Sequence, residues 1–113
     1  MRKLKVGMVG GGSPDSFFGM VHRRAIALDD TRVLAAGALR SSPDAAVDAA
    51  KAWGIQGFRD YREMVNAWKK GDVELDYVVV TTPNNVHFDP AKTCVEAGLP
   101  VLCEKPMTFT VEE

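Results

Sequence analysis

The stretch Leu4-Lys5-Val6-Gly7-Met8-Val9-Gly10-Gly11-Gly12 decides the fold of this chain. Its mostly apolar first part predicts a short strand, which runs directly into consecutive glycines. In a strand–helix unit such glycines let the backbone approach a pyrophosphate, and the N-terminus of the following helix offers it unpaired N–H groups. A glycine turn alone is also typical of an ordinary loop, so the interpretation depends on the strand before it and the helix after it.

The spacing of the glycines departs from the dinucleotide-binding pattern G-x-G-x-x-G. Gly10 and Gly12 fit the first two positions, but Asp15 stands at the third, and the next glycine is Gly19. An insertion of about four residues within the segment 13–18 restores the pattern by lengthening the phosphate loop. The cofactor-binding residues predicted in this loop are Gly10, Gly12, Ser13, Phe18 and Gly19.

Downstream of the loop, apolar strands alternate with amphipathic helices. Further strands are predicted at Val33–Leu39, Ile55–Phe58, Tyr77–Thr81 and Leu99–Cys103, and helices at about Gly19–Asp29, Pro43–Gly54, Asp60–Gly71 and Asp89–Gly98. The first helix is predicted to bury an apolar stripe made of Val21, Ala25, Ile26 and Leu28. Five strands separated by four helices predict an α/β fold, a Rossmann-like doubly wound parallel sheet with flanking helices.

The composition is that of a globular protein and excludes several functional classes. The chain has 113 residues, 46% of them hydrophobic and 26% charged, and its net charge is -1. A near-neutral chain of this length is one domain and shows no sign of a nucleic-acid or membrane surface. No apolar stretch approaches the ~20 residues of a membrane span and no signal-peptide core follows Met1, so we expect a cytoplasmic protein. Cys94 and Cys103 are expected to be buried apolar residues rather than a disulfide or part of a metal site.

The end of the second strand bears on the choice of cofactor. NAD-binding folds commonly place an acidic residue here for the ribose hydroxyls, whereas arginine accommodates a 2′-phosphate. This chain has Leu39-Arg40-Ser41-Ser42 and no carboxylate. Arg40, Ser41 and Ser42 therefore predict a phosphate clamp and NADP as the cofactor. The alternative is that Arg40 lies over the adenine and Ser42 only caps the next helix, so NAD stays possible.

The last predicted strand ends abruptly at Glu104-Lys105-Pro106. Charged groups at the carboxyl end of a parallel strand point into the crevice where open α/β sheets bind their ligands, so Lys105 is a candidate for the chemistry. An amine near a carbinol hydroxyl can relay its proton and stabilise negative charge while hydride leaves the carbon. The alternative is a solvated loop, in which lysine and glutamate are common.

Three segments at strand ends carry a resemblance to a known family: Val9-Gly10-Gly11-Gly12, Thr82-Pro83-Asn84 with His87, and Glu104-Lys105-Pro106. They resemble the glucose-fructose oxidoreductase, inositol dehydrogenase and MocA (Gfo/Idh/MocA) group of NAD(P)-dependent oxidoreductases, and the resemblance covers essentially the whole chain. It implies that Lys105 is the catalytic residue, beside the nicotinamide and the substrate hydroxyl. His87 has an alternative as a residue that caps or packs a helix start. The resemblance implies further cofactor contacts at Thr82, Pro83, Asn84, His87, Glu104 and Lys105.

The same resemblance implies a function and a larger protein. The expected reaction is hydride transfer between a nicotinamide dinucleotide and a hydroxyl of a sugar, cyclitol or related polyol. Family members continue into a C-terminal α/β substrate domain, so we expect residues 1–113 to be an incomplete NAD(P)-binding domain that is inactive alone and belongs to a homo-oligomer. The alternative is a catalytically inactive dinucleotide-binding module or sensor. A P-loop hydrolase is excluded because Gly12 is not followed by Gly-Lys-Ser/Thr.

Overall fold

The computed structural model describes residues 3–12, 17–28, 30–82 and 88–103. Every predicted strand and helix is present, with ends that differ from the prediction by one or two residues. In chain order the elements are β1 (Leu4–Val9), α1 (Phe17–Leu28), β2 (Arg32–Ala38), α2 (Pro43–Trp53), β3 (Gln56–Gly57), α3 (Tyr61–Lys70), β4 (Tyr77–Val80), α4 (Phe88–Ala97) and β5 (Val101–Cys103).

The five strands form one parallel sheet in the order β3-β2-β1-β4-β5. The chain moves outward from β1 to β3, crosses the sheet, and then moves outward through β4 to β5, which is the doubly wound topology that was predicted. Because parallel crossovers are right-handed, α1 and α2 cover one face and α3 and α4 cover the other. The two core clusters match these faces: Ile26 and Ala50 belong to the first, and Met64, Val65 and Cys94 to the second.

A β-bulge in β2 aligns the sheet with both helix layers. Val6 pairs with Leu34 and Gly7 with Ala36, so Ala35 is the extra residue. Because side chains alternate along a strand, the bulge lets Leu34 pack in the α1–α2 cluster and Ala36 in the α3–α4 cluster. The bulge thus sets which side chains of β2 point to each helix layer before the strand reaches the carboxyl edge of the sheet.

Capping residues fix the ends of α2 and α3. The Asp60 carboxylate accepts a hydrogen bond from the Glu63 N–H at 2.9 Å, and α3 ends at Gly71 with a left-handed φ of 84°. Gly54 ends α2 in the same way, with a φ of 71°. Ser42 occupies the N-cap position of α2, but its hydroxyl makes no capping hydrogen bond. That hydroxyl is therefore not committed to the helix end.

The predicted apolar stripe of α1 is wrong for three of its four residues. Ile26 is buried, but Ala25 is exposed, and Val21 and Leu28 are 42% and 86% exposed. Instead, the side of the helix that carries Gly19 and Ile26 faces the sheet. These two residues are separated by about two helical turns. Close packing at Gly19 sets this rotation, and a count of apolar residues cannot detect it.

The last strand was predicted to be buried and is only half-buried. Val101 and Cys103 pack against the α3–α4 cluster, whereas Leu102 is 51% exposed. The reason is that, among the described residues, β5 is the last strand of the sheet and pairs only with β4. In the described part of the chain, the α1–α2 layer does not extend over it.

Cys94 is buried, as predicted, whereas Cys103 is only half-buried, and no disulfide joins the two. Desolvation by burial raises the pKa of the Cys94 thiol to about 11. Among the described residues, no helix is long and apolar enough to cross a membrane, and no cluster of histidine, cysteine or acidic residues could hold a metal ion.

Candidate functional site

Hydrogen bonds attach the glycine turn after β1 to the end of β2. The Gly10 N–H donates to the Ala38 carbonyl at 2.9 Å, and the Gly12 N–H donates to the Leu39 carbonyl at 3.0 Å. Gly10 and Gly11 have left-handed φ angles of 80° and 83°, which side-chain-bearing residues rarely adopt. The local sequence therefore folds into a sharp turn whose backbone is held at the carboxyl edge of the sheet.

The turn is packed so closely that side chains have no room on it. A Cβ on Gly10 would lie 2.8 Å from the Thr82 nitrogen, and one on Gly12 would lie 2.6 Å from the Leu39 Cβ. Gly19, the predicted third glycine, packs directly against the backbone of Gly11, and a Cβ there would overlap the Gly11 carbonyl. The structure thus brings Gly10, Gly12 and Gly19 together, although Gly19 lies nine positions after Gly10 in the sequence.

Thr81 and Thr82 close the other side of the turn. The Thr81 N–H donates to the Val9 carbonyl at 2.9 Å, and its hydroxyl donates to the same oxygen at 3.4 Å. A Cβ on Gly11 would lie 2.7 Å from the Thr81 hydroxyl oxygen. Thr82 was predicted as a site residue, but Thr81 was counted only as the last residue of a strand. The one available signal was its hydroxyl at the end of an otherwise apolar run.

The fully buried Leu39 is a second residue of the site that was not predicted from the sequence. Its side chain contacts Gly12, and its carbonyl accepts the hydrogen bond from that residue. The sequence gives no direct signal for this role, because Leu39 reads as an ordinary apolar end of a strand.

Arg40, Ser41 and Ser42 follow Leu39 directly and are exposed. The Arg40 guanidinium has no ion-pair partner among the described residues, in contrast to Arg62, which pairs with Asp89. A cation and two hydroxyls therefore stand beside the glycine turn. Two helix N-termini, those of α1 and α2, begin at the same edge and add partial positive charge. This arrangement can hold a diphosphate and a further anionic group.

The remaining predicted site residues lie outside the described part of the chain. They are Ser13, Pro83, Asn84, His87, Glu104 and Lys105. Phe18 lies in the first turn of α1. Cys103, the residue before Glu104, pairs with Val80 of β4. The structure thus brings the ends of β1, β2 and β4 together, while the assignment of Lys105 stays a prediction.

Comparison with known proteins gives a consistent result. The family described as "Oxidoreductase family, NAD-binding Rossmann fold" (GFO_IDH_MocA) matches residues 4–113. The rhizopine catabolism protein MocA of Rhizobium meliloti is 36% identical over 114 residues, which cover 100% of this chain and 32% of that protein. Levoglucosan dehydrogenase of Pseudarthrobacter phenanthrenivorans is 32% identical over 121 residues, which cover 100% of this chain and 29% of the relative.

A solved structure agrees with the fold and with the extent of the match. The crystal structure of an inositol dehydrogenase homolog from Azotobacter vinelandii, complexed with NADH and myo-inositol, is 35% identical and has a TM-score of 0.86. The match covers 98% of this chain and 30% of that one. The chain therefore spans about a third of the length of the relatives it matches.

Proposed function

Because the chain belongs to the GFO_IDH_MocA family of oxidoreductases, we propose that it is the dinucleotide-binding part of an NAD(P)-dependent dehydrogenase that acts on a sugar, cyclitol or related polyol. The observation that carries the proposal is the glycine turn, which is bonded to the end of β2 and closed by the end of β4. Its backbone N–H groups and the N-terminus of α1 suit a diphosphate. The names of the relatives support the substrate class, since they include inositol and levoglucosan dehydrogenases.

The described residues fit a nicotinamide dinucleotide. Any Cβ on the turn would meet its neighbours, so the turn presents bare backbone on which a diphosphate could lie. When bound, the dinucleotide accepts or donates the hydride. Thr81 and Leu39 hold the shape of the turn from either side. Lys105 would relay the proton of the substrate hydroxyl, with Thr82, Pro83, Asn84, His87 and Glu104 as neighbouring cofactor contacts.

The reaction can be tested in the intact protein with a panel of sugars, cyclitols and linear polyols. We expect at least one polyol to support reduction of the oxidised cofactor. The competing function is a dinucleotide-binding module without turnover, which the names of the relatives do not favour. Tight cofactor binding with no polyol-dependent reduction across the panel would support that module and contradict the proposal.

The proposed cofactor is NADP(H), although the Azotobacter homolog was crystallised with NADH. The support is local: Arg40, Ser41 and Ser42 are exposed at the end of β2, and residues 39–42 include no carboxylate to accept ribose hydroxyls. A guanidinium with two hydroxyls suits a 2′-phosphate.

The cofactor preference is tested by Arg40→Asp. We expect the native protein to bind NADPH more tightly than NADH and the variant to reverse that order, because the carboxylate repels the phosphate and accepts hydroxyls. Fluorescence titration with both dinucleotides measures the two affinities. Lys70→Asp is the matched control. Lys70 is an exposed cation at the C-terminal end of α3, so its substitution should leave the order of the two affinities unchanged. Equal affinities in the native protein would contradict the assignment.

A further inference from the structure

Arg59 lies at the end of β3, next to the end of β2. The Gly37–Gly57 pair joins these strands, and the Phe58 N–H donates to the Gly37 carbonyl at 2.9 Å. Leu39 and Arg59 each lie two residues beyond that pair. Neighbouring strands are ~4.8 Å apart, so Arg59 is level with Leu39, the residue before Arg40, at the carboxyl edge of the sheet.

The residues before Arg59 alternate between the two sides of the sheet. A Cβ on Gly57 would lie 2.7 Å from the Ala50 Cβ of α2, whereas Phe58 packs in the cluster on the α3–α4 side. Arg59 follows Phe58 beyond the end of β3, and an open cleft on the α3 side of the sheet is lined by Gln56, Phe58 and Asp60 but not by Arg59.

Arg59 has no structural task in the described part of the chain. It is exposed, and no ion pair or ring contact engages it there. Other arginines are used in packing: Arg23 lies over the Trp53 ring, and Arg32 donates to the Tyr77 hydroxyl. The adjacent acid, Asp60, accepts the capping hydrogen bond of α3. Arg59 is thus a cation without a structural role among the described residues, at the same edge of the sheet as the proposed phosphate clamp.

We propose that Arg59 is a second specificity-determining cation, which binds the 2′-phosphate of NADP(H) together with Arg40. The inference rests on the proposed cofactor preference. In dinucleotide-binding folds the residue after the second strand meets the adenosine ribose, and Arg59 lies one strand beyond that position. Two guanidinium groups at adjacent strand ends can share the phosphate oxygens through charge-assisted hydrogen bonds. Because Arg59 lies 19 residues after Arg40, only the pairing of β2 with β3 brings them together.

The test compares Arg59→Gln, Arg40→Gln and the matched control Lys70→Gln in the intact protein. Titrations use NADPH, NADH, and the fragments adenosine 2′,5′-bisphosphate and 5′-AMP. We expect Arg59→Gln to weaken NADPH and the bisphosphate by ~10-fold, the scale of one hydrogen bond to a charged group, and to change NADH and 5′-AMP by less than about twofold. Arg59→Lys keeps the charge and should restore part of the affinity. Thermal unfolding of each variant checks that the fold is retained.

The outcomes separate this inference from the function on which it rests. If Arg40→Gln weakens NADPH selectively while Arg59→Gln behaves like Lys70→Gln, the role of Arg59 is overturned and the cofactor preference stands. If Arg59→Gln weakens NADPH and NADH equally, Arg59 meets a shared part of the cofactor and the phosphate assignment is wrong. If the native protein does not distinguish the two dinucleotides, both proposals fail.

Discussion

Arg40 and Cys94 illustrate at the residue scale how one fold gives side chains opposite environments. Arg40 is exposed at a strand end and has no partner in the described region, so its charge is available to a ligand. Cys94 is fully buried, and its thiol behaves as a small apolar group with a pKa raised to about 11. Exposure of a charged side chain at the carboxyl edge of the sheet marks Arg40 as a candidate ligand-binding residue.

The catalytic assignment of Lys105 gives a prediction for the intact protein. Lys105→Met keeps most of the side-chain stem and removes the amine, so we expect turnover to fall by ~100-fold, the usual scale for losing a general acid or base. Affinity for NADP(H) should change little, because it depends on the glycine turn and Arg40. Lys105→Arg should also lower turnover, since guanidinium does not release a proton near neutral pH.

Steady-state kinetics with direct cofactor titration separates these effects, with Lys70→Met as the matched control. Near-normal turnover in Lys105→Met would refute the catalytic role. Lost cofactor binding with normal turnover at saturation would make Lys105 a cofactor ligand instead.

Cys94 predicts how stability depends on pH. Its pKa is raised from 9.0 to about 11 in the fold, so the neutral thiol is favoured there. The corresponding stability is fully present below pH 9 and is lost as pH rises towards 11, at a rate of up to ~1.4 kcal/mol per pH unit. Denaturant unfolding across this range should show a smaller fall for Cys94→Ala than for the native chain. Cys103→Ala keeps Cys94 and should keep its share of the fall; equal falls in all three proteins would argue against this linkage.

At the scale of elements, the contact of α1 with the glycine turn explains the rotation of that helix. Gly19 packs against Gly11, and Ile26 lies on the same side about two turns later. The apolar residues Val21, Ala25 and Leu28 then face outward on the opposite side of the helix. Packing of the turn therefore overrides the hydrophobic pattern of the helix.

Gly19→Ala tests this contact. The added methyl group would overlap the Gly11 backbone, so α1 must move away from the turn. We expect a loss of ~1–3 kcal/mol in the free energy of unfolding and, in addition, weaker NADPH binding. Gly54→Ala is the control: its positive φ costs stability, but nothing lies within 4 Å of the new methyl group, so NADPH affinity should be retained. Unchanged NADPH affinity in Gly19→Ala would contradict a coupling between this contact and the cofactor site.

At the scale of the whole molecule, apolar side chains remain exposed on the described surface. Leu28 is 86% exposed on α1, and Leu102 is 51% exposed on the edge strand β5. Val21 and Ala25 extend the patch around Leu28 along one side of the helix. Apolar stripes and open strand edges of this kind favour association.

We therefore expect the 113-residue chain to self-associate as its concentration rises. Leu28→Gln and Leu102→Gln should reduce the average mass measured by light scattering, because each removes apolar surface from the exposed patches. Lys51→Gln changes an exposed polar residue of α2 and should not reduce it. A monodisperse monomer for the native chain would contradict the expectation.

The sequence by itself determined the strands, the helices, their parallel order and the candidate ends of the strands. These features depend on local signals: apolar runs, the cap at Asp60, the glycines after each helix, and the Gly10–Gly12 turn. Only the tertiary structure decided which side of α1 is buried, why β5 is half-exposed, and that Thr81 and Leu39 shape the turn. Only strand pairing placed Arg59 level with Leu39, the residue before Arg40. The physical reason is that these features depend on contacts between residues far apart in the chain, whose close packing and strand register no local pattern records.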